Sequence, residues 1–358
     1  MLNKKIHKIS LHVLAVTAAS AILAACSTTS CLEDGEQLYT GMKKIKYEDY
    51  ERNEHLIDTQ AELDAALACA PNGALFGSSY YRTPFPYGLW IYNAFHSKTD
   101  GFSRWMTNSF GKAPVLMADV NPELRTSVAK SVLENNGYFR SNVSYDIIEG
   151  KVGTTKHDTV PRPLQAKLAY TVNFGPLYRL DSIEYVGFND NEMSIIRSTE
   201  SNLRKDAPFS ISNLDAERNR LYNLFRDNGY FHYKPSYLTY RADTLRTPQM
   251  VQLQLCKMDS LPEEVSRRWK IGKRTFRIRR QMQEQPDTSV VRRNLTVEYS
   301  GRKSPLRPRV ILQDLRLRSG QFYSQADFDE SLSRMAAKGI FSSTNITFTA
   351  DSTSAQNS

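Results

Sequence analysis

Cysteine is scarce. Four occur in 358 residues, too few for a disulfide-knotted small domain, and no Cys-x-x-Cys pair supports a zinc ribbon or a redox motif. Histidine is scarce too: His7, His12, His55, His96, His157 and His232, none in a His-x-x-x-His pair. No glycine-rich phosphate loop follows a strand pattern, and no nucleophile elbow occurs. Glu62 with Asp64 and Asp190 with Glu192 read as ordinary surface carboxylates, and nothing marks them for acid–base work. An enzyme therefore has no residue to rest on, and no catalytic, cofactor-binding or metal residue is expected. Beyond residue 25 no apolar run approaches the roughly 20 residues of a membrane helix. With 40% hydrophobic and 24% charged residues, wholesale disorder is excluded and a length for two or three domains remains.

The first 26 residues are different. Lys4, Lys5 and Lys8 precede an apolar run that ends Leu23-Ala24-Ala25-Cys26. A basic start, a short apolar stretch and small residues at its end describe an export signal rather than a spanning helix. The final four residues resemble the lipobox of bacterial lipoproteins, which implies cleavage before Cys26 and acylation of that cysteine. Several acyl chains hold a protein stably on a bilayer, where one chain is marginal. Residues 1–25 are then signal peptide and 26–37 a lipid-anchored tether. Export also argues against nucleic acid as a partner, despite a net charge of +9. Cys69 and Cys256 lie in apolar contexts and are expected to be buried thiols.

One short pattern recurs: Asn136-Gly137-Tyr138-Phe139, Asn228-Gly229-Tyr230-Phe231 and Lys338-Gly339-Ile340-Phe341. Helical patterns precede each copy, over 124–135, 214–228 and 328–338. In the second, Leu214, Leu221, Leu224 and Phe225 share a face, with Glu217, Arg218 and Arg220 away from it. Ser212 with Asp215 and Ser324 with Asp327 resemble capping boxes, and Asn121-Pro122 opens the first helix. Each helix ends at glycine, which takes the left-handed C-cap conformation without a Cβ clash. Strands are expected after the glycines, through Val143, Tyr145 and Ile147, through Tyr237 and Tyr240, and through Ile346 and Phe348. His232 is expected in the second of these. Further strands are expected over 166–174 and 251–256, and others ahead of the helices over 42–47, 178–186 and 269–278. The unit reads strand, helix, helix, strand, strand, an α+β class with helices on one face of a small sheet.

Three such units behind an export signal resemble tandem POTRA domains, the polypeptide-transport-associated modules. With the lipobox, the chain resembles the periplasmic half of the lipidated TamA-like branch of the BamA outer-membrane assembly superfamily, as found in Bacteroidota. Glu36 to Gly41 (Glu-Gln-Leu-Tyr-Thr-Gly), Gly88-Leu89-Trp90-Ile91-Tyr92-Asn93, Gly175-Pro176-Leu177-Tyr178-Arg179 and Leu306-Arg307-Pro308-Arg309 carry this likeness. It implies modules over 38–175, with an aromatic insertion over 71–112, over 176–258 and over 266–350, then a polar tail over 351–358. The family's C-terminal β-barrel is not found in the sequence. The resemblance further implies an outer-membrane-anchored periplasmic protein in outer-membrane protein assembly, with unfolded outer-membrane proteins and a long TamB-like periplasmic protein as partners. Sheet edges would receive extended clients by β-augmentation. Rival readings are a spacer lipoprotein without client binding, and an exported enzyme or glycan-binding lipoprotein.

Two features stand apart from the repeats. The segment over 76–110 is dense in aromatics, including Trp90 and Trp105. It reads either as an interfacial element lying on the bilayer or, with slight preference, as an embellishment packed on its own module. The charge is equally localised. Residues 266–320 hold 16 bases, thirteen of them Arg, against 4 acids, and the rest of the chain is slightly acidic. Arginine favours bidentate contact with carboxylate or phosphate. Arg307, Arg309, Arg316 and Arg318 are therefore candidates for a face that meets anionic lipid or an acidic partner, with a merely solvated surface as the bland alternative.

Overall fold

A computed structural model describes residues 28–155, 160–281 and 283–351. Cys26, the signal expected over 1–25, His157 and positions 352–358 of the tail lie outside the described residues. The chain divides into two compact units, Met1–Tyr178 and Arg179–Ser358.

In the first unit, β1 (Leu38–Met42) and β2 (Lys46–Glu48) precede α1 (Glu54–Leu67), α2 (Tyr87–Phe95), α3 (Gly101–Phe110), α4 (Met117–Val120) and α5 (Pro122–Asn135). Then come β3 (Asn142–Glu149), the small pair β4 (Val152–Gly153) and β5 (Arg162–Pro163), and β6 (Gln165–Asn173). Strand β6 is central. It pairs parallel with β1 and β2 on one side and antiparallel with β3 on the other. Its alternation is clean: Ala166, Leu168, Tyr170 and Val172 are buried and Lys167 is exposed. The buried row faces α1 and α5, whose Leu56, Leu63, Leu67, Ala129 and Leu133 complete one core. Truncating a fully buried leucine such as Leu133 costs about 3 kcal/mol in such a core. Asn53 and Asn121 cap the two helices by accepting the N–H of Leu56 (2.7 Å) and Leu124 (3.1 Å), and Pro122 stands in the first turn as expected. The strand expected over 42–47 starts earlier and breaks. The break falls at 43–45, between β1 and β2, and β1 itself carries a register shift between Tyr39 and Met42.

The second unit opens with β7 (Arg179–Val186), α6 (Asp190–Ile196), α7 (Ile211–Asp227), β8 (Leu238–Asp243), β9 (Met250–Lys257) and α8 (Glu263–Ser266). Here β9 is central, parallel to β7 and antiparallel to β8, the pairing already seen around β6. Leu221 and Phe225 of α7 pack with Ile196, Tyr230, Leu238 and Leu255.

A third sheet follows in the same unit. Strands β10 (Arg274–Arg277) and β11 (Thr288–Arg292) flank β12 (Leu295–Tyr299), again parallel on one side and antiparallel on the other. The chain order differs, however. The β11–β12 hairpin comes before helices α9 (Pro308–Asp314) and α10 (Gln325–Ala337). Its two-residue turn is Arg293-Asn294, both at positive φ (48° and 60°), the hairpin geometry that asparagine tolerates and arginine rarely adopts. The strand expected through Ile346 and Phe348 is absent. That segment pairs with no strand among the described residues. Phe348 packs instead against Phe231, Tyr323 and Phe328. The fold class is α+β, built of small mixed sheets with helices packed on them.

Candidate functional site

The recurring Gly-Tyr-Phe passage proves to be a helix-ending device in its first two copies. Asn136 and Asn228 turn their side-chain amides back onto the carbonyls of Val132 (3.0 Å) and Leu224 (2.9 Å), closing the last helical turn. Gly137 (φ 86°) and Gly229 (φ 97°) take the left-handed conformation. The N–H of Tyr138 then reaches Leu133 O (2.9 Å), and that of Tyr230 reaches Phe225 O (3.0 Å), the 6→1 bond of a Schellman end. Both tyrosine rings are buried, edge-on to Phe174 and Phe225 at 4.9 and 5.3 Å. The glycine carbonyls point onward. Gly137 O accepts the N–H of Tyr178 (2.9 Å), and Gly229 O accepts that of Trp269 (2.7 Å). Phe139 meets Tyr178 at 5.0 Å, and Phe231 meets Tyr323 at 4.8 Å. His232 sits in the turn after Phe231, not in a strand, with its ring edge-on to Trp269 at 5.3 Å.

The second copy is elaborated by Arg226. Its guanidinium lies about equally close to the rings of Phe231 and Tyr323, 5.0 Å from each, and 5.9 Å from Tyr222. It donates to Phe231 O, Gln325 Oε1 and the Tyr323 hydroxyl. Next to it, Asp227 Oδ1 accepts the N–H of Ala326 (2.8 Å) and the Ser324 hydroxyl (3.1 Å). The C-terminus of α7 thus supplies an acidic cap to the N-terminus of α10, where Ser324 already accepts the N–H of Asp327 (3.2 Å).

Two carboxylates are buried where the sequence pattern placed them on the surface. Glu217 is fully buried. Arg220 grips it with two bonds of 2.6 and 2.8 Å, Asn202 N–H donates at 2.9 Å and the Tyr185 hydroxyl at 2.8 Å. Burial alone would raise its pKa, but Arg220, Asn202 and Tyr185 together outweigh burial and hold it below the usual carboxylate range. Glu192 is 1% exposed. It forms a capping box with Asn189 and takes two contacts from Lys257 Nζ, at 2.7 and 2.9 Å. The box expected at Ser212 and Asp215 does not form. Ser210 occupies the cap position, and its hydroxyl pairs with that of Ser212 at 2.7 Å. Cys256 is buried as expected, whereas Cys69 is half-buried.

The candidate basic residues separate. Arg307, Arg309 and Arg318 are exposed, but Arg316 is half-buried and bonds to Glu330 at 3.2 Å. Arg274, half-buried, donates to Leu317 O and Arg293 O at 3.0 Å each. Its pKa is lowered by burial and then by the neighbouring Arg318. Trp90 is half-buried against Phe85 and Tyr87 (5.8 and 5.7 Å), while Trp105 is 55% exposed. Among the described residues no group of three or more His, Cys, Asp or Glu is placed to hold a metal, and no helix is long and apolar enough to cross a membrane.

Each of the three larger sheets has an antiparallel edge strand, and β7 and β10 are edge strands on the parallel side. Strands β3, β8 and β11 pair only with β6, β9 and β12, so their outer edges have no neighbouring strand among the described residues.

No protein-family model matches the chain, and no curated protein matches it significantly. Among solved structures it is similar to POTRA domains 3–5 of BamA from Haemophilus influenzae, at 13% identity and a TM-score of 0.35, covering 87% of this chain and 90% of that one. It is also similar to the N-terminal domain of Omp85 from Thermosynechococcus elongatus (10% identity, TM-score 0.26, 87% and 89% covered) and to POTRA domains 1–3 of Omp85 from Anabaena (12%, 0.25, 87% and 89%). Superpositions at these scores carry no weight for function. The repeated strand pairing and the repeated helix ending are the firmer observations.

Proposed function

We propose that the protein is a periplasmic, outer-membrane-anchored POTRA lipoprotein, held by acylated Cys26, that takes part in outer-membrane protein assembly. It binds extended, unfolded clients or an accessory partner such as a TamB-like protein. Its modules span 38–175, 176–258 and 266–350. One observation carries this reading: three small sheets share one pairing scheme, and each leaves its antiparallel strand open along the outer edge. An open edge is a row of unused N–H and C=O groups, which any extended chain can satisfy with little demand on its sequence. That suits clients destined to become β-strands. Photo-crosslinkers at Ser144 in β3, Thr239 in β8 and Val291 in β11, all exposed, test it on the full chain. Crosslinks to unfolded barrel segments are expected from at least one edge. No crosslink from any of them sinks client binding.

The spacer reading has its own support in the Arg226–Asp227 junction, which fixes two successive sheets of the second unit to one another. A protein whose junctions are rigid and whose edges capture nothing is a strut. The crosslinking result separates the two.

The basic stretch adds an electrostatic face. Arg307, Arg309 and Arg318 are the bases to reverse, since Arg316 is held by Glu330. Their conversion to Glu should weaken binding to anionic lipid or to an acidic partner at low salt, and the loss should shrink as salt screens it.

A further inference from the structure

Helix α3 is inside out. Ser103 is 3% exposed and the Thr107 hydroxyl is buried, while Phe102, Trp105 and Phe110 are 62, 55 and 53% exposed. An ordinary surface helix does the reverse. The rings are also contiguous. Phe95 of α2 meets Phe102 at 6.1 Å, Phe102 meets Trp105 at 6.1 Å, and Trp105 meets Phe110 at 5.6 Å. Lys98 Nζ stands 5.1 Å from the Phe95 ring, at the end of the row. Phe95 is half-buried, and the three exposed rings that continue the row mark a surface that meets something apolar.

We propose that this α2–α3 hairpin is a lipid-contact element that seats the first unit on an anionic bilayer. Three observations select lipid as the occupant. Phenylalanine and tryptophan beside lysine and arginine is the composition of an interfacial segment: rings enter the headgroup boundary and bases stay among the phosphates. The segment over 76–112 holds four bases, Arg82, Lys98, Arg104 and Lys112, against the single acid Asp100, and Asp100 is spent capping α3. Finally, the anchor is close. Cys31 already touches α2, its Sγ 3.4 Å from His96 Nδ1 and 3.6 Å from Asn93 O. It lies five positions after Cys26, a reach of at most about 18 Å. This third point rests on the anchor reading; the first two do not. Hairpin and acyl chains together would supply the two signals that fix orientation as well as attachment.

The test uses the full chain in vesicles of phosphatidylethanolamine and phosphatidylglycerol carrying a brominated lipid. Trp105 emission, obtained as the difference between the native protein and its Trp105→Phe variant, should be quenched. Emission from the remaining Trp90 and Trp269 should be quenched less. Mass analysis of the N-terminal peptide reports acylation separately. Quenching without acylation upholds the hairpin and removes the anchor; acylation without quenching overturns the hairpin. A second arm reads vesicle binding of the Phe102→Ser/Phe110→Ser variant made without the acyl group. Its partitioning should fall about tenfold or more, as lost apolar contact dictates, with the far-ultraviolet circular dichroism unchanged. Equal binding by this variant overturns the proposal. So does concentration-dependent dimerisation that Trp105→Phe abolishes, which would assign the face to a second copy of the chain.

Discussion

Glu217 shows how much of this protein's stability can turn on one side chain. It is buried on α7 and satisfied from three directions: its own helix through Arg220, the loop before the helix through Asn202, and β7 through Tyr185. Removing its charge leaves Arg220 buried without a counter-ion, so Glu217→Gln should cost about 3 kcal/mol in urea unfolding. Its lowered pKa has a pH consequence. A carboxylate depressed in the folded state contributes stability that is fully present above its unfolded value, about 4.3, and is lost as pH falls through the lower folded value. Melting temperatures of the native protein should therefore drop below about pH 4 by more than those of Glu217→Gln. The Glu192–Lys257 pair allows a different experiment. Lys257→Met strands a buried carboxylate and should cost roughly 3 kcal/mol, while Glu192→Leu with Lys257→Met should recover much of that loss. The double-mutant comparison checks whether the pair contributes net stability or mainly fixes the position of α6 against β9.

The repeated helix-glycine turn makes its prediction at the scale of the element. Gly137→Ala and Gly229→Ala both force a Cβ into the left-handed region, a cost of about 1 kcal/mol or more each. Gly229 bears a second penalty, because its Cβ would stand 3.1 Å from Phe322 Cδ1 and 3.4 Å from Arg268 Cβ. The drop in melting temperature at Gly229 should therefore exceed what the backbone cost alone predicts. These helices, the Asn121 cap and the terminal glycines were legible in the sequence because they are local, whereas the start of α7 was misplaced by two residues, at Ser212 instead of Ser210. What was illegible depends on neighbours. The strand read at Ile346 and Phe348 has the right alternation but makes no ladder, its Phe348 ring packing on Phe231, Tyr323 and Phe328 instead. The β11–β12 hairpin was overlooked because its turn is Arg293-Asn294 rather than an asparagine–glycine pair, although Leu295, Val297 and Tyr299 alternate plainly. Glu217 looked solvent-facing because the loop around Asn202 that covers it lies on no periodic pattern. The aromatic stretch was visible as composition, but only the structure shows Trp90 half-buried against Phe85 and Tyr87 and Trp105 exposed.

At the scale of the whole molecule, two properties belong to the second unit rather than to any one element. The first is charge. The bases over 266–320 are only partly answered by acids, with Arg277 on Glu298 and Arg316 on Glu330 among the pairs that form. The second is coupling between successive sheets, which is where the contrast between strut and client-binding scaffold becomes measurable. Arg226 makes two kinds of contact at once. Its guanidinium lies near three rings, each such contact worth about 0.5–2 kcal/mol, and it satisfies a backbone carbonyl that the Gly229 turn leaves open. Lysine can supply charge but not the planar fork, so Arg226→Lys should loosen the junction nearly as much as Arg226→Ala. Hydrogen exchange reads this directly. Amides of α10 and of the segment around Tyr323 should lose protection in both variants, while those of β9, deep in the neighbouring sheet, should keep theirs. If edge crosslinking to barrel segments also survives in these variants, capture belongs to the individual sheets and the junction serves only to space them. If crosslinking from β8 and β11 falls with protection, those two edges of the second unit work together, and the Gly229 turn is then part of the binding apparatus rather than a connector.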